Sequence, residues 1–150
     1  MKVYEKSSLI NCAIEDLFEF HLDLRNLVKI TPKDTSVKLV GELFTPVKGS
    51  IITLDTLKNC IPMRWEVEVS EVNRPNLLVD VAVKSPFKFW KHSHIFTQLA
   101  EGKIELRDRV EFVLPFGFIG KLFEGIVVKQ LEKMFLYRHN ETRKILEERR

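Results

Sequence analysis

Two periodicities divide the chain. From residue 36 to residue 114 apolar side chains fall mostly on alternate positions, and after Pro115 they fall three and four apart. Alternation marks half-buried strands, and the longer spacing marks one face of a helix. Met63, Trp65, Val67 and Val69 alternate with Arg64, Glu66, Glu68 and Ser70, the cleanest strand pattern in the sequence. Val37 and Leu39 alternate with Lys38 and Val40, and residues 50–57 follow Gly49. Leu77, Val79, Val81 and Val83 alternate with Leu78, Asp80, Ala82 and Lys84. Arg74-Pro75-Asn76 reads as a turn, and Ser85-Pro86 ends a strand. Residues 90–99 and 103–114 form two further strands, joined at Ala100-Glu101-Gly102. Strands linked by turns, with no helix between them, predict an antiparallel meander.

Ahead of the meander, residues 1–10 read as a strand. Asn11 has the chemistry of a helix N-cap, with Glu15 and Asp16 in the first turn. Ile14, Leu17, Phe18 and Leu22, with His21 beside them, make a short amphipathic helix. A second covers residues 24–30 and stops at Thr31-Pro32, where the residue before proline is pushed out of the helical region. Beyond Pro115 the stripe runs through Ile119, Leu122, Phe123, Ile126, Val127, Leu131, Met134 and Phe135. It weakens at Arg138 and Thr142 and resumes at Ile145 and Leu146. The pattern predicts one helix within residues 116–150, of about 30 residues and roughly 45 Å. A helix of that length needs a large apolar partner surface. The order of elements predicts a single α+β domain over residues 1–150. A curved antiparallel sheet of about six to seven strands wraps the terminal helix, and the short helices close one end of the space between.

Composition adds limits. Lys and Arg total 24 against 21 Asp and Glu, a net charge of +3 with the signs interspersed. Nucleic-acid binding calls for a concentrated basic stripe, so none is expected. The densest basic cluster, Arg143-Lys144 with Arg149-Arg150, is diluted by Glu141, Glu147 and Glu148 and reads as a solvated helix end. Eleven Phe against two Tyr and two Trp point to a greasy interior. Cys12 and Cys60 have neither close pairing nor metal-ligand spacing. Residues 1–6 have no apolar leader character, and no apolar run approaches the ~20 residues of a membrane span. A reducing, cytoplasmic setting is the expectation.

Chemistry concentrates in the hairpin of residues 90–114. Trp90, His92, His94 and Phe96 share one face, and Ile104, Leu106, Asp108, Val110 and Phe112 share the matching face of the next strand. A three-residue loop with Gly102 in the left-handed position sets His94 opposite Asp108, His92 opposite Val110 and Trp90 opposite Phe112. A carboxylate there would orient an imidazole and raise its pKa. The pair then either anchors a ligand, acts in acid–base chemistry, or satisfies itself inside the sheet. His92 and His94 with Asp108 make too sparse a set for a metal, so no metal or cofactor is expected. Trp65, Trp90, Phe112, Phe116, Phe123 and Met134 are candidate walls of an apolar cavity or plain core. The Phe116-Gly117-Phe118-Ile119-Gly120 segment is expected to pack inside as a hinge rather than to stand out as an aromatic lip. Ser7-Ser8 lies in a strand without a nucleophile elbow, which gives no support to a serine hydrolase.

The chain resembles the START-like superfamily, also called SRPBCC or helix-grip proteins, and within it the bacterial polyketide cyclase and dehydratase-like branch. The likeness rests on residues 10–20, Asn26-Leu27 with Thr31-Pro32, Trp90-Lys91-His92-Ser93-His94-Ile95-Phe96, Asp108, Leu114-Pro115-Phe116-Gly117 and Phe135-Leu136-Tyr137-Arg138. Cys12-Ala13 stands where branch members often have Ala-Pro. The resemblance implies a deep hydrophobic cavity between sheet and long helix, which takes lipids, polyketides, sterols or other apolar small molecules. It implies no single reaction. The leading expectation is a soluble binding protein for an apolar ligand, with His92, His94 and Asp108 as its polar patch. One alternative is a cyclase or dehydratase with His94 as base. Another is an interaction module that uses the basic helix end.

Overall fold

The computed structural model describes residues 1–149; Arg150 lies outside the described residues. The chain begins with β1 (Lys2–Ile10), α1 (Ile14–Leu22) and α2 (Arg25–Lys29). Six strands follow: β2 (Thr35–Leu39), β3 (Ile51–Lys58), β4 (Ile61–Asn73), β5 (Leu77–Lys84), β6 (Phe89–Ala100) and β7 (Lys103–Val113). Two helices close the chain, α3 (Gly117–Leu122) and α4 (Glu124–Glu148). The seven strands form one antiparallel sheet in the order β1-β7-β6-β5-β4-β3-β2. Each strand from β2 to β7 lies beside its sequence neighbour, and β1 closes onto β7. Register shifts on β4 between Glu66 and Val67 and between Val69 and Glu71 add the local twist that curls the sheet. The α+β architecture is that expected from the periodicities.

The register of the last hairpin is also the expected one. His94 stands opposite Asp108, His92 opposite Val110 and Trp90 opposite Phe112. Gly102 takes φ 73° at the loop, the conformation that costs glycine least.

α4 lies against the concave side of the sheet. It buries Leu131, Phe135, His139, Thr142 and Leu146, spaced three or four apart. The apolar stripe therefore continues through two polar residues where the sequence shows it weakening. Two apolar clusters flank that point. One gathers Ile10, Leu17, Phe18, Phe96, Ile104, Leu106 and Leu146. The other gathers Tyr4, Trp90, Val110, Phe112, Leu131 and Phe135. Between them lie His92, Asp108, His139 and Thr142, all buried. The core is thus two apolar layers with a polar layer between.

Three expectations need correction. The terminal helix is broken: α3 ends at Leu122, and Phe123 joins it to α4, whose 25 residues span roughly 38 Å. Gly117, Gly120 and Gly125 weaken the helix there. Gly120 is also pressed on the Pro115 carbonyl, with no room for a side chain. The segment at residues 116–120 does not pack inside, since Phe116 is 81% exposed and Phe118 is 74% exposed. Ala13 rather than Asn11 caps α1, and the Asn11 side chain instead donates to Glu147 on α4 at 2.7 Å. On β5 the cavity side carries Leu78 and Asp80, and the more apolar series ends in an exposed Val83. Of the basic helix end, Arg143 is tied to the Leu9 carbonyl at 3.1 Å. No helix among the described residues is long and apolar enough to cross a membrane.

Phe135→Ala will cost about 3–5 kcal/mol in urea unfolding, because it empties a filled site in the core. Phe116→Ala will stay within about 0.5 kcal/mol. Equal costs would contradict this placement of α3 and α4.

Candidate functional site

The polar layer is built around one carboxylate. β7 carries Asp108 into the interior between Leu106 and Val110, where it is 3% exposed. A buried carboxylate is costly unless hydrogen bonds replace its water. His139 Nε2 donates to Oδ2 at 2.6 Å, and His92 Nε2 donates to Oδ1 at 2.7 Å. His94 Nδ1 lies 3.1 Å from Oδ1, close enough to pair but not aligned as a hydrogen bond. Burial alone would raise the Asp108 carboxyl. The contacts with His139, His92 and His94 outweigh burial and hold it well below the usual carboxylate range.

Because an ionised carboxylate only accepts, it fixes which nitrogens carry protons. His139 Nε2 and His92 Nε2 must both be N–H. His139 Nδ1 faces the Ser8 hydroxyl at 2.6 Å and, in the neutral ring, accepts from it. The linked order Ser8, His139, Asp108 is that of an acyl-transfer triad. Ser8 nevertheless sits mid-strand on β1 and is absent from the cavity lining, so the link serves to orient His139.

His94 is placed differently, between two carboxylates. Its Nε2 is 3.2 Å from Asp80 Oδ2 on β5, and its Nδ1 faces Asp108. Burial pulls its pKa down, but Asp108 and Asp80 outweigh that and raise it to about 9. His94 is therefore an imidazolium at neutral pH. Its ring lies 3.9 Å from that of His92 and 5.4 Å from that of His21, between centroids. Both neighbours respond as the rule of like charges requires. Burial and then the His94 charge lower His92. The same two causes bring His21 to about 4. All four histidines of the chain thus gather around one aspartate, three of them in contact with it.

This layer borders a cavity of about 320 Å³. His92, His94, Asp80, Trp65, Trp90, Val67, Val69 and Leu78 line it from the sheet. Phe20, His21, Leu27 and Ile30 line it from the short helices, which close that end as expected. Gln130, Lys133, Met134 and Arg138 line it from α4. Of the residues picked from the sequence, Trp65, Trp90, His92, His94 and Met134 reach the cavity. Asp108 stands behind the histidines. Phe112 is buried in the core, while Phe116 and Phe123 are exposed on and beside α3, away from the lining.

Sequence reasoning left His21 and His139 unplaced and did not single out Asp80. His139 lies four residues after Phe135, on the same helical face. Asp80 pairs directly with His92 and so shares its side of the sheet. Asp80, His92 and His94 can bring three donor atoms within 4.8 Å of one another. His94, protonated between Asp108 and Asp80, would have to give up a proton before either nitrogen could bind a metal. The gap between His94 and Asp80 suits a proton better than a metal ion.

Histidine NMR titration will find His94 charged up to about pH 9, with His21 neutral down to about pH 4. The facing groups are Asp80, Asp108, His21, His92 and the Arg138 guanidinium. Linkage then sets the stability profile. The raised His94 contributes stability fully below its unfolded value near 6.5 and loses it as pH rises through 9. The lowered His21 costs stability as pH falls from about 6.5 toward 4. Stability is therefore greatest near pH 6.5, and His94→Gln removes the alkaline decline. His94 and His21 titrating together near 6.5 would contradict this electrostatic assignment.

No protein-family model matches the sequence, and no curated protein sequence matches it. Solved structures do match in fold. The Zhui aromatase/cyclase from Streptomyces sp. R1128 superposes with a TM-score of 0.78 at 14% identity, covering 99% of this chain and 94% of that one. A START superfamily protein from Mycobacterium smegmatis gives 0.74 at 12% identity, with 99% of each chain covered. The ginseng major latex-like protein 151 from Panax ginseng gives 0.69 at 12% identity, with 97% of each covered. The curled seven-stranded sheet, the short helices after β1 and the long α4 across the concave face are together the START-like, or helix-grip, fold.

Proposed function

We propose that this chain binds an apolar small molecule in the cavity between sheet and α4. The observation that carries the reading is the lining: aromatic and aliphatic walls with polar groups facing in from the sheet, at His92, His94 and Asp80, and from α4, at Gln130 and Arg138. Apolar area buried on binding is worth about 25 cal/mol per Å² and supplies the affinity. The polar groups, His94 above all, set the orientation. The START-like fold of the neighbouring structures supports the same reading.

One observation favours a second reading, an enzyme of the cyclase or dehydratase type. His94 lines the cavity as a cation, and a substrate hydroxyl that displaced Asp80 from its Nε2 would meet that proton. His94 would act as a general acid toward a leaving hydroxyl, whereas the sequence suggests a base. The aromatase/cyclase among the structural neighbours raises the weight of this reading by analogy of fold alone.

The neutral probe N-phenyl-1-naphthylamine will bind saturably with enhanced fluorescence. Val67→Trp, which projects into the cavity, will weaken it at least tenfold, and Leu122→Trp on exposed α3 will not. Melting curves of both variants check that they fold. No saturable binding, or equal binding by Val67→Trp, would overturn the cavity reading.

A further inference from the structure

Three buried side-chain nitrogens among the described residues lack a hydrogen-bond partner: His94 Nδ1, Arg107 Nε and Arg138 Nε. His94 Nδ1 has Asp108 at 3.1 Å, and Arg107 Nε has Glu5 at 3.8 Å. Arg138 Nε alone of the three has no carboxylate in ion-pair range. Arg138 lines the cavity from α4, one turn beyond Met134, and its Cζ stands 5.5 Å from the centre of the Phe135 ring. Its surroundings penalise the charge, and burial lowers its pKa.

The nearby carboxylates are committed elsewhere. Asp108 is taken by His139, His92 and His94, and Asp80 faces His94. Of the other lining carboxylates, Asp23 is paired with Arg25, and Asp34 is exposed and accepts from the Thr35 hydroxyl. The helix wall adds a second cation, Lys133, which is exposed and so keeps its water. The cavity wall therefore holds one half-buried guanidinium with no carboxylate in ion-pair range and a buried Nε that lacks an acceptor, beside an apolar hollow. A guanidinium nitrogen buried without an acceptor is expensive, and a bound carboxylate supplies one. The planar guanidinium fork fits a carboxylate through two parallel N–H bonds. A doubly charged phosphoryl group would bring twice the negative charge toward Asp80 and Asp108, which repel it.

We infer that the ligand of this cavity is an apolar molecule bearing one carboxylate, which Arg138 binds while the apolar body lies against Ile30, Trp65, Val67, Val69 and Leu78. The inference rests on the cavity reading proposed above and adds the chemical class of its occupant.

Displacement of N-phenyl-1-naphthylamine at pH 7.5 tests it, with dodecanoic acid, dodecan-1-ol and methyl dodecanoate as competitors of equal chain length. Dodecanoate will displace the probe at a concentration on the order of tenfold lower than either neutral competitor, as expected for a charge-assisted pair. Arg138→Gln will abolish that ratio, and Arg138→Lys will keep part of it. Circular dichroism and melting of each variant establish that it is folded. Equal competition by acid and alcohol, or a preference that survives Arg138→Gln, overturns the assignment and leaves the cavity reading standing. Failure of the probe and of all three competitors to bind the native protein overturns both.

Discussion

A carboxylate sealed inside a protein has to be answered by donors, and the interior is arranged to meet that demand at Asp108. β6 supplies His92 and His94, and α4 supplies His139. β1 then fixes His139 through Ser8. β6, α4 and, through His139, β1 are thus all tied to one side chain on β7. Because each donor must reach the same two oxygens, the arrangement sets the height of α4 along the sheet as well as its distance from it. Apolar packing above and below this layer tolerates some sliding, whereas three nitrogens on one carboxylate do not.

The same layer gives the cavity its character. One face of the histidine group looks toward α4 and the core, and the other looks into the hollow. His94, held between Asp108 and Asp80, brings a positive charge to an apolar wall, and Arg138 brings another from the opposite side. A hollow lined with Trp65, Val67, Val69 and Leu78 would otherwise recognise only size and shape. In the proposed ligand-binding role, these cations would add selection for polarity.

Much of this was legible in the sequence. Alternation identified the strands, and the hairpin loop at Gly102 was enough to set His94 against Asp108. The single-helix reading failed at Phe123, where three nearby glycines outweigh a continuous apolar stripe. The aromatic lip was misjudged because apolar spacing cannot tell whether a neighbour exists to cover it; α3 presents Phe116 and Phe118 to solvent. The site was half visible. His92, His94 and Asp108 sit in alternating strands whose inward face declares itself. His139 and Arg138 lie where the apolar stripe weakens, and a polar residue on a buried face looks like the end of that face. Asp80 was hidden because β5 is apolar on both sides, so only its pairing with β6 reveals which side faces inward.

The central claim is that Asp108 is an ionised carboxylate held by imidazoles inside the core. The most direct measurement is the carboxyl carbon-13 chemical shift of Asp108, assigned by its loss in Asp108→Asn and followed from pH 8 toward pH 3. The account predicts the shift of a carboxylate that does not titrate until well below the usual range near 3.9. A protonated Asp108 at neutral pH, or an ordinary titration near 4, would contradict it.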